Sequence, residues 1–198
     1  MQLYPAFLKL DGRRVVVVGG GPVATSKLPA LLDAGADVTV VAPEMTSGID
    51  AAPVVRIRRA FEPADLDGAW LAVAAATPAV NRAVAEAAEA RQLFVNAVDD
   101  PANASLYLGG VVRRAGVTFA ISTDGRAPAL AGLLREGLDA LLPEADLAQW
   151  MDEASKLRLR WRAETVPLPA RRPALLAALV RLYESPEHGG AAAGREQP

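Results

Sequence analysis

The sequence predicts an α/β chain: a doubly wound parallel sheet first, then a short hairpin, then helices. Three observations predict it. Runs of β-branched and apolar residues alternate with helical segments over roughly the first 100 residues, the pitch of parallel strands with helices on both faces. Two short apolar runs then flank Arg113-Arg114-Ala115-Gly116, a spacing suited to a hairpin. From Pro128 onward the pattern is helical.

Each element has its own reason. Val15-Val16-Val17-Val18, bounded by Arg13-Arg14 and Gly19, reads as a fully buried strand. A helix follows over 22–34, because Pro22 suits the first helical position and Gly35 the C-terminal cap. Pro29 is at odds with this helix, since an interior proline removes a hydrogen bond. Strands are expected over 37–41, around 54–58 and over 70–75, a helix over 79–91, and a strand over 93–98. The apolar runs 106–112 and 117–122 form the hairpin-like pair. Helices follow over 128–142, 144–163 and 173–183, and 189–198 reads as a disordered tail.

At ~150 residues per domain, 198 residues make one domain with a sizeable extension. Lys+Arg 21 against Asp+Glu 23 leaves a net charge of −2, which excludes blanket attraction to nucleic acid or an anionic membrane. Hydrophobic content of 52% with 22% charged residues is that of a globular chain, and 5% aromatics means packing from small side chains. Cysteine is absent and His188 is the only histidine, which excludes a disulfide framework, a zinc finger, an iron–sulfur site and a cysteine nucleophile. The start, Met1-Gln2-Leu3-Tyr4-Pro5, lacks the pattern of a signal peptide, and the longest apolar run, 69–76, falls short of the ~20 residues of a membrane helix. The expectation is a soluble, cytoplasmic protein with no nucleic-acid or membrane partner.

Gly19-Gly20-Gly21-Pro22-Val23-Ala24 matches G-x-G-x-x-A directly after a strand and at the start of a helix. Gly19 permits the tight turn, Gly21 lets the backbone approach a pyrophosphate, and Ala24 lets the helix pack close to the sheet. The helix N-terminus then offers N–H groups to the phosphates. This is the signature of a Rossmann-like dinucleotide site. The second strand runs into Pro43-Glu44, where Glu44 can bind the ribose hydroxyls, and no arginine follows immediately to take a 2′-phosphate. The expected cofactor is therefore NAD rather than NADP.

Ligands of such sheets sit beyond the carboxyl ends of the strands. That rule adds Ala76-Thr77 and the turn Ala97-Val98-Asp99-Asp100-Pro101, the only one that brings carboxylates into the crevice. Either aspartate there is a candidate for proton transfer beside the nicotinamide, or a turn former ahead of Pro101. Ser122-Thr123-Asp124-Gly125-Arg126-Ala127-Pro128 is a second polar loop, suited to a substrate carboxylate or simply to helix capping. The cations Lys156, Arg158, Arg160, Arg162, Arg171 and Arg172 do not share one helix face and read as a solvated surface. No metal ligand is assigned.

The ordered series Tyr4-Pro5-Ala6-Phe7-Leu8, Leu10-Asp11-Gly12-Arg13-Arg14, the glycine motif, the stretch from Ala34 to Glu44, Val95-Asn96-Ala97-Val98-Asp99-Asp100-Pro101, Ala120-Ile121-Ser122-Thr123 and Leu133-Leu134-Arg135-Glu136 resembles the precorrin-2 dehydrogenases, including the N-terminal module of siroheme synthase. The resemblance covers most of residues 3–150. It implies an NAD-binding Rossmann domain (1–104), a small dimerisation region (105–143), a helical C-terminal part (144–185) and a tail (186–198). It also implies a homodimer that oxidises precorrin-2, a tetrapyrrole, to sirohydrochlorin with NAD as acceptor; some members also insert iron. The family's functional aspartate falls on Asp99, and its cofactor contacts on Pro22-Val23 and Pro43-Glu44. Relatives commonly read Ser-Thr-Gly-Gly-x-Ser-Pro where Asp124 and Ala127 stand here. An added acid beside a polycarboxylate substrate opposes binding unless Arg126 pairs with it. The changed loop is the feature that favours the alternative, a non-catalytic NAD- or tetrapyrrole-binding module.

Overall fold

The computed structural model describes residues 3–184. The tail expected at 186–198 lies outside them. Two compact units are present. One runs through Leu108 and takes in Ser122–Ala127, and the other comprises Gly109–Ile121 and the chain from Pro128 on.

The first unit carries β1 (Arg14–Val18), α1 (Pro22–Asp33), β2 (Asp37–Val41), α2 (Ser47–Ala51), β3 (Val55–Ile57), β4 (Leu71–Ala74), α3 (Pro78–Glu89) and β5 (Phe94–Ala97). The five strands form one parallel sheet in the order β3-β2-β1-β4-β5. Strand order reverses between β1 and β4, which is where a crevice opens in such a sheet. The valine run explains the two layers of helices. Val15 and Val17 project into one core with Ala24, Leu28, Leu31 and Ile49, whereas Val16 and Val18 project into the other with Val84, Ala87 and Ala88. All four are at most 2% exposed, so the strand is apolar on both faces because both faces are covered.

Several local expectations are corrected. Pro29 sits inside α1 without ending it. The helix α2 was not foreseen; Thr46 begins it by accepting a hydrogen bond from the Ile49 N–H. The strand expected from residue 106 starts only at Gly110. Residues 105–106 instead follow the outer edge of β5, where Ser105 and Leu106 N–H groups donate to the Val95 carbonyl and Ser105 Oγ accepts from Val95 N–H. An edge strand needs such partners for its unpaired groups.

Asp65, 5% exposed, closes a short turn over 63–66. Its carboxylate accepts two N–H groups of Arg59 (2.8 and 2.6 Å) and the Glu62 N–H (2.8 Å). These bonds, the Arg59 one foremost, hold its pKa below the ordinary carboxylate value. A depressed folded pKa contributes stability that is complete above the ordinary carboxylate range and is lost as pH falls through the folded pKa. Asp65→Ala is therefore expected to cost about 2 kcal/mol at pH 7, a figure reduced because Arg59 is part-exposed. Denaturant titrations should show the gap to wild type narrowing at pH 3; an equal gap at both pH values removes the ion pair as its cause.

In the second unit, β6 (Gly110–Arg114) and β7 (Val117–Ile121) form the hairpin, and α4 (Pro128–Leu141), α5 (Glu144–Ala163) and α6 (Leu168–Glu184) follow. Its two-residue turn puts Ala115 at φ 47° and Gly116 at φ 79°, the left-handed pair that matches strand twist. Helix α6 begins five residues before the expected 173, with Pro173 inside it. The helices α4 and α5 pack on β6, and Gly110 lies so close to α4 that a Cβ there would be 3.2 Å from the Ala131 carbonyl. Arg114 forks onto Asp139 at 2.9 Å, which lowers the Asp139 pKa and raises that of Arg114. Among the described residues no helix is long and apolar enough to cross a membrane.

Candidate cofactor and active site

Three glycines in a row end β1, and the structure gives each a different reason. Gly19 has φ +131°, and a Cβ there would lie 2.2 Å from the Ala75 carbonyl oxygen beyond β4. Gly20 would place a Cβ 1.7 Å from the Glu44 carbonyl oxygen beyond β2, and its own carbonyl accepts the Thr46 N–H at 2.9 Å. Both positions spend their missing side chain on close packing of neighbouring strand ends. Gly21 does not. Its φ of −85° suits any residue, it caps α1 with no side chain, and a Cβ would meet nothing within 4 Å. Bare backbone thus faces open space at the N-terminus of a 12-residue helix, as a pyrophosphate site requires.

The turn is held by groups that sequence patterns did not single out. Thr25 Oγ1 donates to the Gly21 carbonyl at 3.0 Å and lies 2.7 Å from Thr46 Oγ1, the cap of α2. Ala24 is fully buried, as close packing of α1 on the sheet demands, while Pro22 and Val23 are exposed. Pro43 and Glu44 are exposed beyond the buried Ala42. Thr77 is exposed at the start of α3 and makes no capping bond with its side chain. The buried Asn81 fixes this turn by accepting the Ala76 N–H at 2.9 Å. Gly19–Ala75 and Gly20–Glu44 packing gathers these strand ends around the glycine turn.

The turn after β5 separates its two aspartates. Asp100 is half-buried and accepts from Asn103 Nδ2 at 2.7 Å, so it is the turn former. Asp99 is exposed, in the left-handed region at φ 56°, and its carboxylate has no hydrogen-bond or ion-pair partner among the described residues. Val98 N–H donates to the Ala74 carbonyl, tying this turn to the end of β4.

The loop Ser122–Ala127 belongs to the same unit. Ser122 Oγ accepts from Asp124 N–H at 3.1 Å and Thr123 Oγ1 from Ala127 N–H at 3.2 Å, so both hydroxyls shape the loop and keep an O–H to donate. Arg126 lies 4.0 Å from Asp124 with its side chain 84% exposed. Tyr107 joins the two regions: its hydroxyl donates to the Pro101 carbonyl at 3.2 Å, and its ring lies 3.4 Å from where a Gly125 Cβ would stand. The loop is thus brought to Pro101, two residues from Asp99. Tyr107 carries no motif, so only the fold reveals it.

Residues 6–110, over half of the chain, match a family model described as "Putative NAD(P)-binding". The chain belongs to this NAD(P)-binding family. Within it, the chain is 41% identical over 177 residues to proteins named siroheme synthase from Citrobacter koseri and from Escherichia coli (strain K12 / DH10B). The aligned region is 87% of this chain but 38% of those relatives, so the chain spans about two fifths of their length. A solved structure titled "SirC, precorrin-2 dehydrogenase" aligns with a TM-score of 0.69 at 26% identity, covering 94% of this chain and 92% of that one. The resemblance drawn from the ordered motifs is borne out, as is the α/β class with its added helical part and small antiparallel sheet.

Proposed function

We propose that this chain is a cytoplasmic NAD-dependent dehydrogenase that converts precorrin-2 to sirohydrochlorin. The observation that carries this reading is the pairing of two features at one sheet end. Gly21 leaves unclaimed space at a helix N-terminus, and Asp99 offers an uncommitted carboxylate two residues beyond the end of β5. The likeness to a protein titled precorrin-2 dehydrogenase, along nearly the whole of both chains, supports the substrate class.

Bound NAD would supply a hydride acceptor. The chain's own groups do the rest. Backbone at Gly19, Gly20 and Gly21, with the first turn of α1 at Pro22 and Val23, holds the pyrophosphate. Pro43 and Glu44 flank the ribose, whose hydroxyls can donate to the Glu44 carboxylate, and Thr77 borders the cofactor at the end of β4. Asp99 accepts the proton that leaves the ring as the hydride departs, so the new double bond forms with charge balanced. Ser122, Thr123 and Arg126 bind substrate carboxylates through hydroxyls and a guanidinium. Residues 1–104 then carry the cofactor and 105–143 the dimer contact, apart from 105–108 and the substrate loop 122–127, which belong to the first unit; the helices from 144 on form the helical part.

Anaerobic mixing with precorrin-2 and NAD, followed by absorbance, tests the reading. One NADH per sirohydrochlorin supports it. Binding of either ligand without turnover supports the alternative, a module that binds NAD or tetrapyrrole without catalysis. The observation favouring that alternative is Asp124: at 4.0 Å from an 84% exposed Arg126 the pair is too loose to cancel its charge, which then opposes a substrate carboxylate.

The homodimer has its own support. Among the described residues of the second unit only Val112, Ala131, Leu147 and Leu157 are buried apolar residues, whereas Leu130, Leu133, Leu134 and Leu141 on α4 are exposed. The hairpin has α4 and α5 packed on it, so what is left uncovered is the leucine-rich side of α4, and a second copy of the chain can bury it. Sedimentation at micromolar concentration should give twice the 20.7 kDa chain mass. A monomer refutes pairing through 106–122 and its neighbouring helices.

A further inference from the structure

We propose that Asp50 sets the cofactor preference by withholding Arg58 from the 2′-position of the adenosine ribose, so that the site takes NAD and discriminates against NADP. The inference rests on the glycine turn being a dinucleotide site. Register locates the arginine. β2 and β3 pair in parallel with Val41 opposite Ile57, and the Ala42 N–H donates to the Ile57 carbonyl at 3.1 Å. Arg58, the next residue, therefore stands beside Ala42 and Pro43, at the strand end where the ribose 2′-substituent is read in such folds.

An arginine at that position is suited to a 2′-phosphate, because its planar fork matches phosphate oxygens. Here it is engaged. Arg58 is in direct contact with the Asp50 carboxylate on α2, and both side chains are about half exposed. Its neighbours are also committed. Arg56 donates to the carbonyls of Ile49, Asp50 and Ala52 at 3.2, 2.7 and 2.5 Å, and Arg59 is held by Asp65. Arg56 also lies 3.8 Å from the Asp50 carboxylate but keeps those carbonyls whatever the charge on Asp50, whereas Arg58 has Asp50 alone among the described residues. A 2′-phosphate must therefore break this pair and settle beside the Asp50 charge. A 2′-hydroxyl meets neither cost.

The test is direct titration of NAD and of NADP, separately, into the full chain. Wild type should bind NAD more tightly. In Asp50→Asn the NAD-to-NADP affinity ratio should fall about tenfold, through tighter NADP and not weaker NAD, the effect of one freed charge-assisted contact. Asp50→Ala should behave alike and serves if the first variant folds poorly. Adding Arg58→Ala to either should restore the wild-type ratio. An unchanged ratio in both Asp50 variants, or a gain that survives Arg58→Ala, overturns the proposal while the dinucleotide reading stands. If wild type binds neither nucleotide, the dinucleotide reading itself falls and takes the proposal with it.

Discussion

Gly21→Val should abolish NAD binding while the chain keeps its fold, and Gly20→Ala should do the reverse kind of damage. The two residues are adjacent, and composition cannot tell them apart. A Cβ at Gly21 meets nothing within 4 Å outside its own chain neighbours, and its backbone angles are ordinary, so valine there should cost about 1 kcal/mol as a poor helix cap. That side chain occupies the space against the first turn of α1, where a pyrophosphate must approach bare backbone. Calorimetric titration should show no heat with NAD at concentrations that saturate wild type. A Cβ at Gly20 would instead stand 1.7 Å from the Glu44 carbonyl, so the β1 and β2 ends must separate. Overpacking of that kind costs on the order of 3 kcal/mol, and a melt should show it before any ligand is added. If Gly21→Val binds NAD like wild type, the cofactor sits elsewhere, whatever the stability of Gly20→Ala.

The parts of the fold that were legible in the sequence are those governed by local rules. Four consecutive valines can be buried only where both sheet faces are covered, and Arg113-Arg114-Ala115-Gly116 between apolar runs marks a hairpin, though its turn is only the two residues Ala115-Gly116. The parts that were not legible depend on partners distant in sequence. Thr25 and Thr46 are 21 residues apart and meet through their hydroxyls. Ser105 serves the open edge of β5, ten residues back, which is why an apolar stretch did not become strand there. Helix α6 holds Pro173 in its interior, whereas local rules place a proline at the first turn of a helix. In the site, the glycine turn was legible as a motif, but the division of labour among its glycines was not, since that depends on carbonyls supplied by Ala75 and Glu44. The loop at 122–127 was legible as polar. That it lies against Pro101 through Tyr107 was not, because nothing in Leu106-Tyr107-Leu108 marks the tyrosine as a bridge.

The two aspartates after β5 should part company under mutation. Asp100 is spent on Asn103, so Asp100→Ala should lower stability by about 1 kcal/mol, the worth of one hydrogen bond, and leave most of the turnover. Asp99 has nothing to stabilise: its carboxylate is exposed and unpartnered among the described residues. Its backbone is left-handed at φ 56°, which asparagine adopts more readily than alanine. Asp99→Asn is therefore the cleaner test, since it keeps the turn and the shape but removes the proton acceptor. Loss of hydride from the reduced ring leaves positive charge that only loss of a proton can quench, and no histidine lies among the described residues to take that proton. Turnover of precorrin-2 with NAD should fall ~100-fold or more in both Asp99→Asn and Asp99→Ala, the scale of removing a general base. NAD affinity and sedimented mass should stay as in wild type, which separates a lost base from a lost site. Added acetate should restore part of the rate in Asp99→Ala if a carboxylate is the missing group. If Asp99→Asn turns over like wild type, the carboxylate does no proton work, and the free acid at the end of β5 ceases to support a dehydrogenase over a binding module.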